Sequence, residues 1–96
     1  AILGELSGKK ILIVGVAYKP DVSDVRETPA LELIKLLRQA GALVSWHDDL
    51  VQEWNGEFSV GLSSDYDLAI LVNPHSSVDL TFLGRTPTLN TRGGNQ

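Results

Sequence analysis

The longest unbroken apolar stretch near the start of the chain is ILIV at residues 11–14, set between a polar lead-in and a glycine. The wider segment 10–16, KILIVGV, shows no polar alternation. A short run rich in Ile and Val that lacks alternation predicts a strand buried on both faces, as in a parallel sheet. The period then changes. Ala30, Leu31, Leu33, Ile34, Leu36, Leu37 and Ala40 make a wide apolar face at helical spacing. Thr28 predicts the N-cap, and Pro29 suits the first helical position, where its missing N–H has no partner to lose. Glu32 near the start and Lys35 and Arg38 toward the end fit the helix dipole, and Gly41 supplies the stop. Residues 42–47, ALVSWH, predict a second strand and residues 67–72, DLAILV, a third. Asn73-Pro74 ends the third. Ser77 is read as the cap of a short helix over 78–83, and 86–90 as a last strand. The segment 51–65 is the least patterned, and a short strand over 58–62 is the reading there.

Strands that alternate with helical segments predict an α/β fold. The expected architecture is a three-layer, Rossmann-like sandwich with a mostly parallel sheet, in a single domain over 1–96. No apolar run approaches the ~18–20 residues of a membrane span, and the first residues lack the basic and apolar regions of a signal peptide. The chain has no Met, as expected of a processed or excised piece of something longer, and no Cys. Disulfides, thiolate metal sites and thiol catalysis are therefore excluded within these residues. A chain without a disulfide framework is compatible with a cytoplasmic setting. Eight basic residues face twelve acidic ones, for a net charge of −4. That balance argues against nucleic acid as partner, but two or three placed cations suffice for a small phosphate ligand.

In open parallel sheets, ligands sit beyond the carboxyl ends of the strands. The segments leaving those ends are 17–27, 47–52, 73–77 and 90–94. The first is the richest, with Tyr18, Lys19 and Arg26 ahead of a helix N-terminus, a combination able to hold an anion. The alternative is that Lys19 and Arg26 are solvated loop charges paired with Asp21 or Asp24. A dinucleotide fingerprint would need G-x-G-x-x-G here, and only Gly15 of its three glycines is present, so Gly15 is read as allowing a tight strand exit rather than a pyrophosphate approach. Neither His47 nor His75 belongs to a recognisable metal set. His75 at a strand end is read first as structural, and His47 with Asp48 and Asp49 as a polar strand terminus. A triad from Ser76 or Ser77 with His75 is disfavoured, because no nucleophile-elbow pattern surrounds them. Trp46 and Trp54 are read as packing residues.

The run GVAYKPDVSDVRETP, residues 15–29, resembles the signature that opens the C-terminal domain of the UDP-glucose/GDP-mannose dehydrogenase family. The matching positions are Gly15, Tyr18, Lys19, Asp24, Arg26, Glu27, Thr28, Pro29 and Ala30. The likeness continues through Gly41-Ala42 and Asp48-Asp49, and resumes at 65–75 and at Asn90-Thr91-Arg92. It implies a nucleotide-sugar-binding domain of a longer enzyme that oxidises the C6 hydroxyl of a UDP-sugar to a carboxylate. Such enzymes use two NAD per turnover, bound mainly by a separate N-terminal domain, and a catalytic Cys that these residues lack, and a helical middle domain makes a homodimer. By resemblance, Tyr18, Lys19 and Arg92 contact substrate and Arg26 reaches toward NAD. No catalytic residue and no metal ligand is implied within these 96 residues. Asn90 stands where relatives carry an acid, and the stretch after Asp49 is short enough to have lost a helix. The wording of residues 17–22, AYKPDV, looks closest to the branch acting on UDP-N-acetyl-hexosamines. The alternative is a stand-alone, non-catalytic nucleotide-binding or signalling α/β module. A receiver-like version of it would need acids at the ends of strands one and three, which Gly15 and Asn73-Pro74 do not supply.

Overall fold

The computed structural model describes residues 6–19, 21–26 and 28–91. In chain order the elements are β1 (Lys10–Val14), α1 (Pro29–Gln39), β2 (Leu43–His47), β3 (Glu53–Trp54), β4 (Glu57–Phe58), β5 (Leu68–Leu71), a 3-10 helix (Leu80–Leu83) and β6 (Thr88–Asn90). Four strands form one sheet in the order β2-β1-β5-β6, and every pairing in it is parallel. The α/β class and the parallel sheet are as the sequence predicts.

β1 occupies the middle because its side chains are apolar on both sides. Ile11, Leu12 and Ile13 are fully buried and Val14 nearly so. Alternate residues point to opposite faces. Ile11 and Ile13 join Ile70, Val72, Val44 and Trp46 under Ala30, Ile34 and Leu37 of α1. Leu12 and Val14 join Ala69 and Leu71 on the other face, beneath Leu83 of the 3-10 helix with Val60, Leu62, Tyr66 and Val78 at its margin. Both faces of the sheet are thus covered, although the second covering layer is one 3-10 turn and its flanking chain. The helix begins as expected. Thr28 is the N-cap, its hydroxyl accepting the Ala30 N–H at 3.2 Å, and Pro29 opens the first turn.

Two elements differ from expectation. No strand spans 58–62. Instead β3 and β4 form a small antiparallel hairpin. Its turn residues, Asn55 and Gly56, both have positive φ (56° and 79°), which suits a two-residue turn whose twist matches the strands. The hairpin lays Trp54 edge-on against Trp46, with ring centroids 5.7 Å apart, so both tryptophans pack as predicted. Arg38 of α1 grips it from the other side, donating to both Glu57 carboxylate oxygens at 2.8 Å and to the Val44 carbonyl at 2.9 Å. The chain then touches the free edge of β2 through the Val60 N–H on the Trp46 carbonyl, at 2.9 Å. The second difference lies in the turn over 78–83. Its regular part is the 3-10 segment Leu80–Leu83, capped by Asp79 rather than Ser77. Asp79 lies one residue before the turn and can bond the Thr81 N–H, whereas Ser77 lies too far back and donates to Asp49 at 2.9 Å.

From β1 the chain passes to β2 on one side, while β5 lies on the other. The connections leaving β1 and β5 therefore diverge between these two neighbouring strands, where parallel sheets open a crevice at their carboxyl ends. Gly15 sits at this point with φ 86°. A Cβ there would overlap the Asn73 carbonyl and stand 2.5 Å from the Pro74 nitrogen. Only glycine lets the exit of β1 pass so close to the exit of β5.

Candidate functional site

The carboxyl ends of β1, β2 and β5 are tied together by side chains. Period-two alternation along β2 places Val44 and Trp46 in the core, and Asp48 continues on that side. It is 4% exposed. A buried carboxylate is tolerated only when its oxygens are satisfied. Here Oδ2 accepts the Val16 N–H at 2.9 Å, and Oδ1 accepts the Leu50 N–H at 2.8 Å and a bond from His75 Nε2 at 2.7 Å. His75, also buried, receives the Asp21 N–H on its Nδ1 at 2.6 Å. Asp21 holds a left-handed conformation, φ 65°. Its carboxylate accepts the Ser76 N–H at 2.7 Å and the Ser76 hydroxyl at 2.9 Å. The Ser76 N–H, followed by the hydroxyl, holds the Asp21 carboxyl below the ordinary aspartate range.

A second tie lies alongside. The Ala17 carbonyl accepts from the buried Asn73 amide at 2.9 Å and from the Thr28 hydroxyl at 3.3 Å. The Tyr18 N–H closes the loop on itself through the Asp24 carbonyl at 2.8 Å. The exit of β1, the start of α1 and the exit of β5 thus form one hydrogen-bonded unit.

Tyr18 and Lys19 project from this unit into solvent. Tyr18 is 43% exposed, and the Lys19 ammonium lies 5.5 Å from the centre of its ring, within range of a cation–π contact. Lys19 forms no ion pair among the described residues, so the pairing of Lys19 with Asp21 does not occur. Arg26 does pair. Its Nη2 stands 2.7 Å from Asp24 Oδ2 and its Nε donates to Oδ1 at 3.0 Å, with the Arg26 side chain 87% exposed. The Arg26 guanidinium holds the Asp24 carboxyl down at about 2. Arg92 lies outside the described residues. Thr91 just before it is anchored at the carboxyl end of β5, its N–H and hydroxyl both donating to the Leu71 carbonyl.

The histidines divide. His47 and Asp49 form a polar strand terminus as expected, with Nε2 2.7 Å from Asp49 Oδ1, but Asp48 between them turns inward. With Leu62, Ser77, Asp79 and Phe82 they line an open groove of about 330 Å³. Ser76 bonds Asp21 and Ser77 bonds Asp49, so neither serine reaches a histidine and no triad is assembled. No group of three or more His, Cys, Asp or Glu among the described residues is placed to hold a metal ion. No helix among them is long and apolar enough to cross a membrane. The exit of β1 does not fit a dinucleotide pyrophosphate either, since the space over Gly15 is filled by the Asn73 backbone. Sequence reasoning missed the roles of Asp48 and Asn73. The available signal was a polar residue continuing the buried face of a strand directly past its last apolar position.

This geometry has named relatives. Residues 12–82 match the family model described as UDP-glucose/GDP-mannose dehydrogenase family, UDP binding domain. The chain belongs to this family. It is 35% identical over 77 residues to UDP-glucose 6-dehydrogenase 1 of rice, covering 79% of this chain and 16% of the rice protein. It is 41% identical over 49 residues to the UDP-glucose 6-dehydrogenase TuaD of Bacillus subtilis, covering 51% of this chain and 11% of that one. Among solved structures it resembles the UDP-N-acetyl-mannosamine dehydrogenase Cap5O of Staphylococcus aureus. That match has a TM-score of 0.61 and 35% identity over 78% of this chain and 18% of the other. The chain therefore spans less than a fifth of the length of each of these relatives. Tyr18 and Lys19 leave the carboxyl end of β1, beside the crevice between β1 and β5.

Proposed function

We propose that this chain holds the nucleotide end of a UDP-sugar for a longer NAD-dependent 6-dehydrogenase, which oxidises the C6 hydroxyl to a carboxylate. The observation that carries the reading is the exposed Tyr18–Lys19 pair at the switch point of a family UDP binding domain. Lys19 supplies a cation to the diphosphate, Tyr18 a flat surface beside it, and Arg92 a second, bidentate cation. Arg26, solvent-facing and anchored by Asp24, reaches toward NAD held by another part of the parent protein. NAD bound there would accept a hydride twice per turnover, as a four-electron oxidation of alcohol to carboxylate requires, with water supplying the second oxygen. The residues of this chain bind and orient the nucleotide. The parent protein is proposed to be a cytoplasmic homodimer that supplies acidic sugars for polysaccharide synthesis. The sugar is glucose or an N-acetyl-hexosamine, the two kinds named among its relatives.

Titration calorimetry of the chain with UDP, UDP-glucose and NAD tests this reading. Expected are weak binding of UDP and UDP-glucose and none of NAD. Lys19→Ala weakens UDP by about tenfold or more, the worth of one charge-assisted hydrogen bond. Tight NAD binding, or indifference of UDP affinity to Lys19→Ala, would overturn it.

A further inference from the structure

His75 touches none of the residues assigned to ligand, yet it is a buried titratable side chain next to the loop that carries them. Its side chain is 2% exposed and that of its partner Asp48 is 0%. A neutral imidazole has one donor and one acceptor nitrogen. The Asp21 N–H can only donate, so His75 Nδ1 must accept it, and the ring proton sits on Nε2. That proton points at Asp48 Oδ1, which as a carboxylate can only accept. Asp48 cannot turn away, because the Val16 and Leu50 N–H groups hold its two oxygens. The order of donors and acceptors across three loops is therefore fixed in one direction, and the other tautomer breaks both ring bonds together.

We propose that His75 is a positioning residue for ligand: as its Nε2–H tautomer, fixed by Asp48, it holds the Asp21 N–H and thereby sets where Tyr18 and Lys19 stand. Asp21 is two positions beyond Lys19 and is held at two points, its N–H on His75 and its carboxylate on Ser76. Its left-handed backbone costs energy that these bonds offset. A second ring proton would set N–H against N–H at 2.6 Å and release the first point. The charged groups facing the ring are Asp48 from the end of β2, Asp21 from the loop after β1, and Asp49 with His47 behind it. The ligand half of this inference rests on the function proposed above. The loop half does not.

The test is NMR on the full chain, from about pH 8 to about pH 5, the range in which histidines commonly titrate. Side-chain ¹⁵N spectra should show His75 as the Nε2–H tautomer at the upper end. As the ring takes its second proton, the amides of Tyr18, Lys19 and Asp21 should shift with one shared midpoint, while those of Ile11 to Ile13 stay still. His75→Gln carries a donor and an acceptor on one carbon and does not titrate, so its loop amides should stay in place across the range. His75→Leu should loosen the loop at every pH. If it fails to fold, the wild-type and Gln titrations still decide. An Nδ1–H tautomer, or loop amides indifferent to the ring, would overturn the proposal. UDP-glucose affinity is measured in parallel, because its doubly esterified diphosphate does not titrate in this range. Expected is a roughly tenfold loss in the wild type on acidification, about one net hydrogen bond, and less than about twofold in His75→Gln. Equal losses in the two proteins would remove His75 from ligand positioning. If neither binds UDP-glucose while the loop amides follow the ring, the ligand reading fails and the loop assignment stands.

Discussion

Replacing Gly15 with alanine gives a sharp test of how the two diverging loops meet. Three glycines separate the contributions. Gly61 has no positive φ and open space around it, so Gly61→Ala should leave stability within about 0.5 kcal/mol or raise it slightly by stiffening the unfolded chain. Gly56 has φ 79° and open space, so Gly56→Ala meets only the left-handed penalty of about 1–2 kcal/mol. Gly15 has φ 86° and also a backbone in the way. Its Cβ can be accommodated only by pushing Asn73 and Pro74 off the end of β5. That lengthens the Asn73 N–H bond to the Gly15 carbonyl (3.2 Å) and disturbs the Gly15 N–H bond to the His47 carbonyl (2.8 Å). Each bond is worth about 1 kcal/mol net, and overpacking adds about 1–3 kcal/mol. The expected loss is roughly 4–7 kcal/mol, against a total of roughly 5–15 kcal/mol for a domain of this kind. Urea denaturation of the three variants and wild type measures it, with an unchanged slope confirming that the unfolded state is the same. If Gly15→Ala costs no more than Gly56→Ala, the close approach of the β1 and β5 exits is not what requires glycine there.

Two further outcomes follow from the carboxylates and from Arg26. Asp24 is held at about 2 by Arg26, and Asp21 and Glu57 are lowered chiefly by Ser76 and Arg38. Since folding depresses these groups, their stabilisation is complete above the ordinary carboxylate values of about 4 and is lost as pH falls through the depressed ones. The urea midpoint should therefore fall between about pH 4.5 and about pH 2, while above that interval these three groups contribute no slope. Arg26→Ala should lower the midpoint at neutral pH only slightly, because the side chain is exposed, and should flatten the acid limb by that same small amount by freeing Asp24. In an enzyme that includes the NAD-binding part, the same change should raise KM for NAD more than KM for the UDP-sugar. The reverse order would remove Arg26 from the cofactor side.

Local pattern made most of the scaffold legible. The apolar run of β1, the period of α1, Thr28-Pro29 at its start and Asn73-Pro74 after β5 each act within a few residues, so they could be read without a fold. The Asn55-Gly56 turn was equally local and was overlooked, because β3 and β4 are two residues each, too short for any period to show. The Ser77 cap failed because the regular turn begins later than expected, at Leu80, so Asp79 and not Ser77 stands directly before it. At the site, the tyrosine, lysine and arginine could be named from the motif, but their states could not. Whether Arg26 or Lys19 met an aspartate depended on where the chain turned between residues 19 and 26, and the tertiary contact of Asp21 with Ser76 took one candidate partner away.

The sequence by itself determined the β-α-β order, the buried centre of the sheet and a cation-bearing loop at its carboxyl end. Those follow from side-chain period, capping chemistry and chain direction, all of which are local. Gly15 already read as a tight strand exit, and only the tertiary structure showed that the backbone it lets pass is that of Asn73 and Pro74. Only it showed that Asp48 turns inward to orient His75, and that residues 27 and 54 positions apart meet in one ring. A buried carboxylate and an imidazole reveal their direction of bonding only when every donor around them has been placed, and no spacing along the chain carries that information.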